Sequence, residues 1–171
     1  MKTILALAAL ASVTTLAVPA FAETNVSVGY SRVDAGDFKG LNAGVARFGW
    51  NSGAFGVEGE ASTGFGSVKV GATAAKLSSE YGVFATAKAD ASKDFTLFAR
   101  AGYVVEDLSL KVGAAASHSF SDSGLAYGAG AIWNVDEANG VRFEYTRYET
   151  SPTTATAKGN IWSLSYVRKF K

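Results

Sequence analysis

The chain has 171 residues, no cysteine, 19 glycines and two prolines, and it carries a formal net charge of +1. This length is enough for one domain. A nearly neutral chain has no overall field that would attract nucleic acid or acidic substrates. Because there is no cysteine, the fold must be stabilised by packing and backbone pairing without disulfide bonds.

The first 22 residues predict a secretory signal peptide. A basic start at Lys2 precedes an apolar run from Ile4 to Val18 and an A-x-A cleavage site that ends at Ala22. A membrane anchor is the alternative, but a spanning helix needs roughly 20 apolar residues. Cleavage would remove one of the 16 basic residues, Lys2, so the mature domain, residues 23–171, would be neutral with 15 basic and 15 acidic residues.

Alternation of apolar and polar residues, the period-two signature of β-strands, recurs eight times in the mature chain. The predicted strands are Asn25–Asp34, Gly40–Trp50, Ala54–Gly64, Glu80–Ala89, Phe95–Val105, Gly124–Trp133, Gly140–Tyr148 and Asn160–Phe170. The sixth strand is an unbroken run of apolar residues and glycine. It is too short for a membrane helix, but it has the length of a tilted membrane strand.

The connections between the predicted strands alternate between short and long. Asn51–Gly53, Asp90–Asp94 and Asn134–Asn139 are short and polar, whereas longer loops are predicted at residues 65–79 and 106–123. Antiparallel strands with short turns at one end and longer loops at the other are the plan of a bacterial outer-membrane barrel. An even number of strands would leave both chain ends on the short-turn side, in the periplasm.

The third, fifth and seventh predicted strands each have one apolar face and one face that carries charge, which either a soluble sandwich or a membrane barrel would show. The aromatic residues favour the membrane, because they fall at the two ends of the strands. The outer ends carry Tyr30, Tyr81, Tyr103, Tyr127, Tyr145 and Trp162, and the periplasmic ends carry Trp50, Phe55, Phe95, Trp133 and Phe170. Two such girdles seat at the headgroups on both sides of a bilayer. A soluble barrel, such as a lipocalin-like carrier, would instead bury its large aromatic residues.

Charged residues on the polar faces are expected to fill the barrel, because eight strands enclose a space just wide enough for side chains. The predicted interior charges are Arg47, Glu58, Glu60, Arg100, Arg142 and Glu144. Unpaired charges in such a space would be costly, so we expect a hydrogen-bonded plug. Acid–base catalysis or an ion path are the functional alternatives for these carboxylates.

The sequence gives little support for catalysis or metal binding. Outer-membrane enzymes need a histidine base beside a serine or an acidic partner. The single histidine, His118, falls in a predicted loop and is followed two residues later by Phe120 rather than by an acid. With no cysteine and no acidic run of calcium-loop spacing, we predict no metal, no cofactor and no enzyme activity.

Three segments resemble the small outer-membrane barrels grouped as OmpA-like or porin-family β-barrels, which include the opacity-type adhesins. Phe55–Glu60 is similar to the third strand of this family, Tyr127–Ala131 to the sixth and Val141–Tyr148 to the seventh. The resemblance implies an all-β fold: an eight-stranded antiparallel up-and-down transmembrane β-barrel in the outer membrane of a Gram-negative cell. Barrels of this family usually end on an aromatic residue, whereas Phe170 is followed here by Lys171.

The same resemblance implies the partners and the role. We expect a monomer in contact with the lipid bilayer and lipopolysaccharide, recognised by the outer-membrane insertion machinery through its C-terminal strand, and no nucleic acid. The expected function is a structural role in the cell envelope with at most minor permeability to small solutes. The alternative is a surface adhesin or ligand-recognition protein that acts through its extracellular loops.

Overall fold

The computed structural model describes residues 22–35, 38–112, 118–150 and 158–170, which form nine β-strands. The strands are β1 (Ala22–Ala35), β2 (Phe38–Ser52), β3 (Phe55–Phe65), β4 (Val68–Val70), β5 (Thr73–Asp90), β6 (Phe95–Val112), β7 (His118–Asn134), β8 (Asn139–Thr150) and β9 (Lys158–Phe170). No helix capable of crossing a membrane is found in these residues. The predicted signal peptide lies outside the described residues, except for Ala22.

Eight of the strands close into an antiparallel barrel, as predicted. Each of these eight strands pairs with its neighbours in the chain, and β1 pairs with β9 to close the ring. The short β4 is skipped, so β3 pairs directly with β5. β4 pairs only with the first residues of β5, so it stands outside the ring. Alternation does not predict β4, because three residues are too few to show a period.

The barrel has two distinct ends. The turn end carries the connections β2–β3, β5–β6 and β7–β8, together with the first residue of β1 and the last of β9. The tightest turn there is made at Gly53, whose φ of 61° is a left-handed conformation that favours glycine. In the β7–β8 turn, Asp136 accepts hydrogen bonds from the Asn139 side chain and from the backbone NH of Ala138, which lower the pKa of Asp136.

The loop end, opposite the turn end, differs from the prediction. β5 begins at Thr73, β6 continues to Val112 and β7 begins at His118, so the predicted loops at 65–79 and 106–123 are mostly strand. We call this extension, residues 73–79, 106–112 and 118–123, the loop-end sheet. His118 lies in it, exposed at the start of β7, rather than in a loop.

The outward face of the loop-end sheet shows where the membrane-spanning part ends. On β6 the outward residues Tyr103 and Val105 are followed on the same face by Asp107 and Ser109. The Ser109 hydroxyl lies 3.0 and 3.1 Å from the hydroxyls of serines on β5 and β7. A polar outward face belongs in water, so the membrane-spanning part of β6 ends at Val105.

Candidate functional site

Two layers of side chains fill the barrel beside a cavity, and they follow one another along the strands. On β8 the inward residues from the turn end to the loop end are Arg142, Glu144, Thr146 and Tyr148, all of them buried. The first two belong to a layer of charges, and Tyr148 belongs to an apolar layer. A polar cavity lies on the other side of the charges, at the turn end.

The structure brings all six predicted interior charges together in the middle of the barrel. We call this group the charge layer: Arg47, Glu58, Glu60, Arg100, Arg142 and Glu144. None of their side chains is more than 5% exposed. Three positive and three negative charges balance, so the layer is neutral as a whole. This balance offsets much of the cost of removing the charges from water.

Arg100 lies at the centre of the charge layer. Its Nη1 donates to Glu58 at 3.0 Å and to Glu60 at 2.7 Å, and its Nη2 pairs with Glu144. Nη2 also donates to the hydroxyl of Thr146 at 2.9 Å. The guanidinium stacks over the ring of Phe84 at 3.9 Å from the ring centre. One side chain therefore connects strands β3, β5, β6 and β8 across the interior.

Arg47 and Arg142 hold the two sides of the layer. Arg47 pairs with Glu60 on the adjacent β3 and, at 3.3 Å, with Glu144 across the barrel. Arg142 pairs with Glu144, two residues further along its own strand, and its Nη2 lies 3.0 Å from Glu58. Each glutamate is thus engaged by at least two arginines, which are the strongest donors available for a carboxylate.

Hydroxyl groups complete the charge layer, and the sequence analysis does not single them out. Arg47 donates to Ser165 at 3.0 Å and to Ser163 at 3.2 Å, both on β9. Thr146 receives bonds from Arg100 and donates to Glu144 at 3.0 Å. The glycine at position 128 leaves room for this contact, because a Cβ there would lie 2.6 Å from the Thr146 hydroxyl oxygen. The only sequence signal for these hydroxyl residues is their place on the polar face of a strand.

A polar cavity of about 660 Å³ opens at the turn end, and we call it the vestibule. It reaches inward to Glu58 and Arg142, so it ends at the charge layer. Amide and hydroxyl side chains on its wall include Asn51 and Thr86. Lys88, on the same wall, pairs with Glu23 at 2.8 Å. The vestibule gives water access from the turn end to the middle of the barrel.

Apolar side chains close the barrel on the loop-end side of the charge layer. We call them the apolar cap: Val33, Leu41, Ala43, Leu77, Phe84, Val104, Ala126, Tyr148 and Ile161, each buried and in contact within one cluster. Partly buried residues such as Phe38 and Leu108 pack against it. The sequence pattern predicts a plug of charges alone, so the apolar cap is an additional closure that was not predicted.

The eleven predicted girdle residues all lie on the outside or at the rims of the barrel. Nine of them are exposed, and Trp50 and Tyr145 are half-buried. The ring of Tyr145 lies 4.6 Å from that of Trp162, and its hydroxyl donates to Asn160 at 2.7 Å. An apolar ring with a hydrogen-bonded hydroxyl is suited to a membrane interface. Further outward aromatic residues, which the prediction does not include, are Phe48, Phe65, Phe143 and Tyr166.

The chemistry of the interior is that of mutually neutralised ions. No group of three or more potential metal ligands lies together within residues 22–35, 38–112, 118–150 and 158–170. Each carboxylate of the charge layer is bound by at least two arginines, and this arrangement stabilises the closed barrel.

A closed eight-stranded barrel with an exposed apolar outer face and a charged, filled interior defines the class of small outer-membrane β-barrels. The family model described as the outer membrane protein β-barrel domain matches residues 3–170. The chain belongs to this family and is a protein of the Gram-negative outer membrane.

Solved structures of the same architecture include Ail, the attachment invasion locus protein of Yersinia pestis. It is 21% identical with a TM-score of 0.64, and the match covers 86% of this chain and 98% of that chain. Ail in complex with the heparin analogue sucrose octasulfate matches at 20% identity and a TM-score of 0.62, covering 87% and 99%. The N-terminal barrel of OprF from Pseudomonas aeruginosa matches at 7% identity and a TM-score of 0.67, covering 86% and 97%. No curated protein matches the chain. At these identities the likeness shows the fold alone.

Proposed function

We propose that this protein is a closed structural barrel of the outer membrane, with at most minor permeability to small solutes. The observation that carries the proposal is the apolar cap, which fills the barrel between the charge layer and the loop end. Tyr148, at 2% exposure, is the largest of its fully buried side chains. A pore would need a continuous hydrated path, and an apolar layer interrupts that path.

Two features support an orientation with the turn end in the periplasm and the loop end outside the cell. Short turns face the periplasm in bacterial barrels, and longer segments face outward. The loop end carries exposed basic residues just beyond the apolar belt, among them Arg32, Lys76, Lys111 and Lys158. Cations at that level suit the phosphates of lipopolysaccharide, which we propose as a partner.

The exposed residues of the last strand, β9, favour a second partner, the outer-membrane insertion machinery. On β9 the outward residues Trp162, Leu164, Tyr166 and Phe170 share one face with Arg168. The Arg168 side chain is held by Asn139 at 2.9 Å and lies at the turn end. Phe170 is 49% exposed, so its ring is available to the outer-membrane insertion machinery although it is not the terminal residue. We propose that the mature protein inserts through this strand as a monomer.

Recognition of a ligand outside the cell is a second candidate, and the loop-end sheet favours it. This sheet extends β5, β6 and β7 beyond the apolar belt and presents linked serine hydroxyls with Lys76 and Lys111. Ail, which shares the fold, is known in complex with a heparin analogue. Binding of the purified protein to immobilised heparin, lost in Lys76→Glu/Lys111→Glu and retained in Lys93→Glu at the turn end, would favour this candidate.

Planar-bilayer recording of the folded protein tests the closed barrel. We expect no large, steady conductance from the wild type at about neutral pH. Folding is checked beforehand by gel mobility, since folded barrels run faster unheated than boiled. A large and stable channel in the unmodified protein would contradict the proposal and would make the protein a true porin.

A further inference from the structure

Three carboxyl groups lie in a row inside the loop-end half of the barrel, apart from the charge layer. Glu80 on β5 is the cross-strand partner of Glu106 on β6, which in turn is the partner of Asp122 on β7. We call these three residues the carboxyl row. Glu80 and Glu106 are each only 3% exposed, and Asp122 is half-buried. Directly opposed residues on one face have Cβ atoms about 5 Å apart, where like charges repel.

No arginine or lysine of the described residues forms an ion pair with the carboxyl row. The ion pairs of residues 22–35, 38–112, 118–150 and 158–170 include none with Glu80, Glu106 or Asp122. The basic side chains outside these ranges are Lys2 and Lys171, near the two chain termini. The nearest arginines belong to the charge layer, whose three positive charges are already balanced by three glutamates. Among the described residues, the carboxyl row therefore has no positive charge available to neutralise it.

The other elements around the carboxyl row supply hydroxyl, carboxyl and apolar groups. On β3 the Ser62 hydroxyl donates to Glu80 at 3.2 Å, and the Glu60 carboxyl is a further neighbour of Glu80. β8 contributes Tyr148. The inward residues of β1, β2 and β9 at this end are apolar members of the cap: Val33, Leu41, Ala43 and Ile161. Ionised carboxylates in this surrounding would repel one another without compensation.

We propose that the carboxyl row is a pH-sensitive latch on the apolar cap. When Glu80 and Glu106 are neutral, the row is compatible with the packed cap and the barrel is closed. When these two groups ionise, their carboxylates draw in water, the cap loosens, and cations leak between the loop end and the vestibule. The inference rests on the proposed closed barrel and adds a condition under which it opens.

The location and the pKa of Glu106 give the pH range in which the latch should respond. This residue follows Val105, so it lies beyond the membrane-spanning part of β6. Burial, with the charge of Asp122 as the second cause, raises the pKa of Glu106 to about 7 from its ordinary value of 4.5. The folded protein then binds more protons than the unfolded chain between these two values. The contribution of Glu106 to the free energy of unfolding therefore falls as the pH rises through this range.

Potassium efflux from phospholipid vesicles that contain the folded protein tests the latch. Below the pKa of Glu106, the ionised fraction of this group grows about tenfold per pH unit, so wild-type efflux should rise by up to about tenfold for each unit between about pH 5 and pH 7. The double variant Glu80→Gln/Glu106→Gln keeps the side-chain shape without the charge, and its efflux should stay low throughout. Glu149→Gln removes an acid on the outside of β8 and should behave as the wild type.

Each result decides one question. Efflux from the wild type that does not change with pH, or a double variant that keeps the full pH response, would overturn the latch. If the double variant does not fold, Glu106→Gln alone should still reduce the response, and an unchanged response would again overturn it. A large, steady wild-type conductance at any pH would instead contradict the closed barrel, since the latch predicts only a leak of cations, so the two proposals fail in distinguishable ways.

Discussion

Replacing Arg100 with methionine removes one positive charge from the charge layer and keeps a side chain of similar length. Arg100 holds Glu58 at 3.0 Å and Glu60 at 2.7 Å and also pairs with Glu144, and its side chain is 0% exposed. In Arg100→Met, three buried carboxylates would face only Arg47 and Arg142. The layer would carry one uncompensated negative charge.

The size of the effect follows from this geometry. Removing one partner of a buried ion pair costs about 3–5 kcal/mol, because the other charge stays buried without compensation. Methionine retains the packing against Phe84, so the loss measured in Arg100→Met is mainly electrostatic. We expect the free energy of unfolding to decrease by about this amount.

A second substitution tests the electrostatic cause. Glu144→Gln in the Arg100→Met background restores charge balance and leaves two intact pairs, Arg47 with Glu60 and Arg142 with Glu58. The double variant should therefore recover stability, with a coupling energy of about 1–3 kcal/mol. Urea unfolding in vesicles, followed by tryptophan fluorescence and by gel mobility, measures all four proteins. A double variant whose loss equals the sum of the two single losses would refute the reasoning.

The other predictions concern the lipid face, the apolar cap and the location. Ala99→Arg places a charge in the lipid and should lower the free energy of unfolding in urea by about 2–4 kcal/mol. Thr86 lies at similar depth but faces the vestibule, so Thr86→Arg should lower it clearly less. Equal losses in the two variants would mean that the faces are wrongly assigned. Leu77→Ala should cost about 2–5 kcal/mol and raise ion leakage. Val83→Ala, on the lipid face of the same strand, should not raise leakage, and the same leakage in both variants would place the seal elsewhere. The mature protein should fractionate with the outer membrane, and recovery from the soluble periplasm without detergent would contradict this.

The alternation of side chains explains why the six charges could be assigned to the interior from the sequence. Successive residues of a strand point to opposite faces, so one apolar face in lipid forces the other face into the barrel. Arg47 and Glu60 also become cross-strand partners once β2 and β3 form a hairpin. The contact of Arg100 with Glu58 joins β6 to β3 across the interior. Such a contact depends on the closure of the whole ring, which no local pattern encodes.

The loop end was harder to predict, for a physical reason. Beyond Val105 the outward face of β6 turns from lipid to water, so its residues become Asp107, Ser109 and Lys111. Aspartate and lysine are depleted in strands, so they mask the strand although apolar residues remain on its inward face. Leu108 and Leu77, which face inward there, are cross-strand partners that pack at the cap. Only Leu77 of the apolar cap lies at such a position. The other eight cap residues lie within the predicted strands, and the cap is not predicted because their meeting inside the barrel depends on closure of the whole ring.

The charge layer and the apolar cap make different contributions, and their order along the barrel explains why both are needed. The vestibule reaches inward to Glu58 and Arg142, so the charge layer borders a cavity that opens at the turn end. A layer of ions next to water can exchange its partners with solvent ions, so it stabilises the barrel better than it seals it. The apolar cap offers an ion no replacement for its hydration shell, and an ion cannot cross it without a large desolvation cost. Stability should therefore depend most strongly on Arg100 and its partners, whereas the seal should depend on Leu77, Tyr148 and the protonation of the carboxyl row beside them.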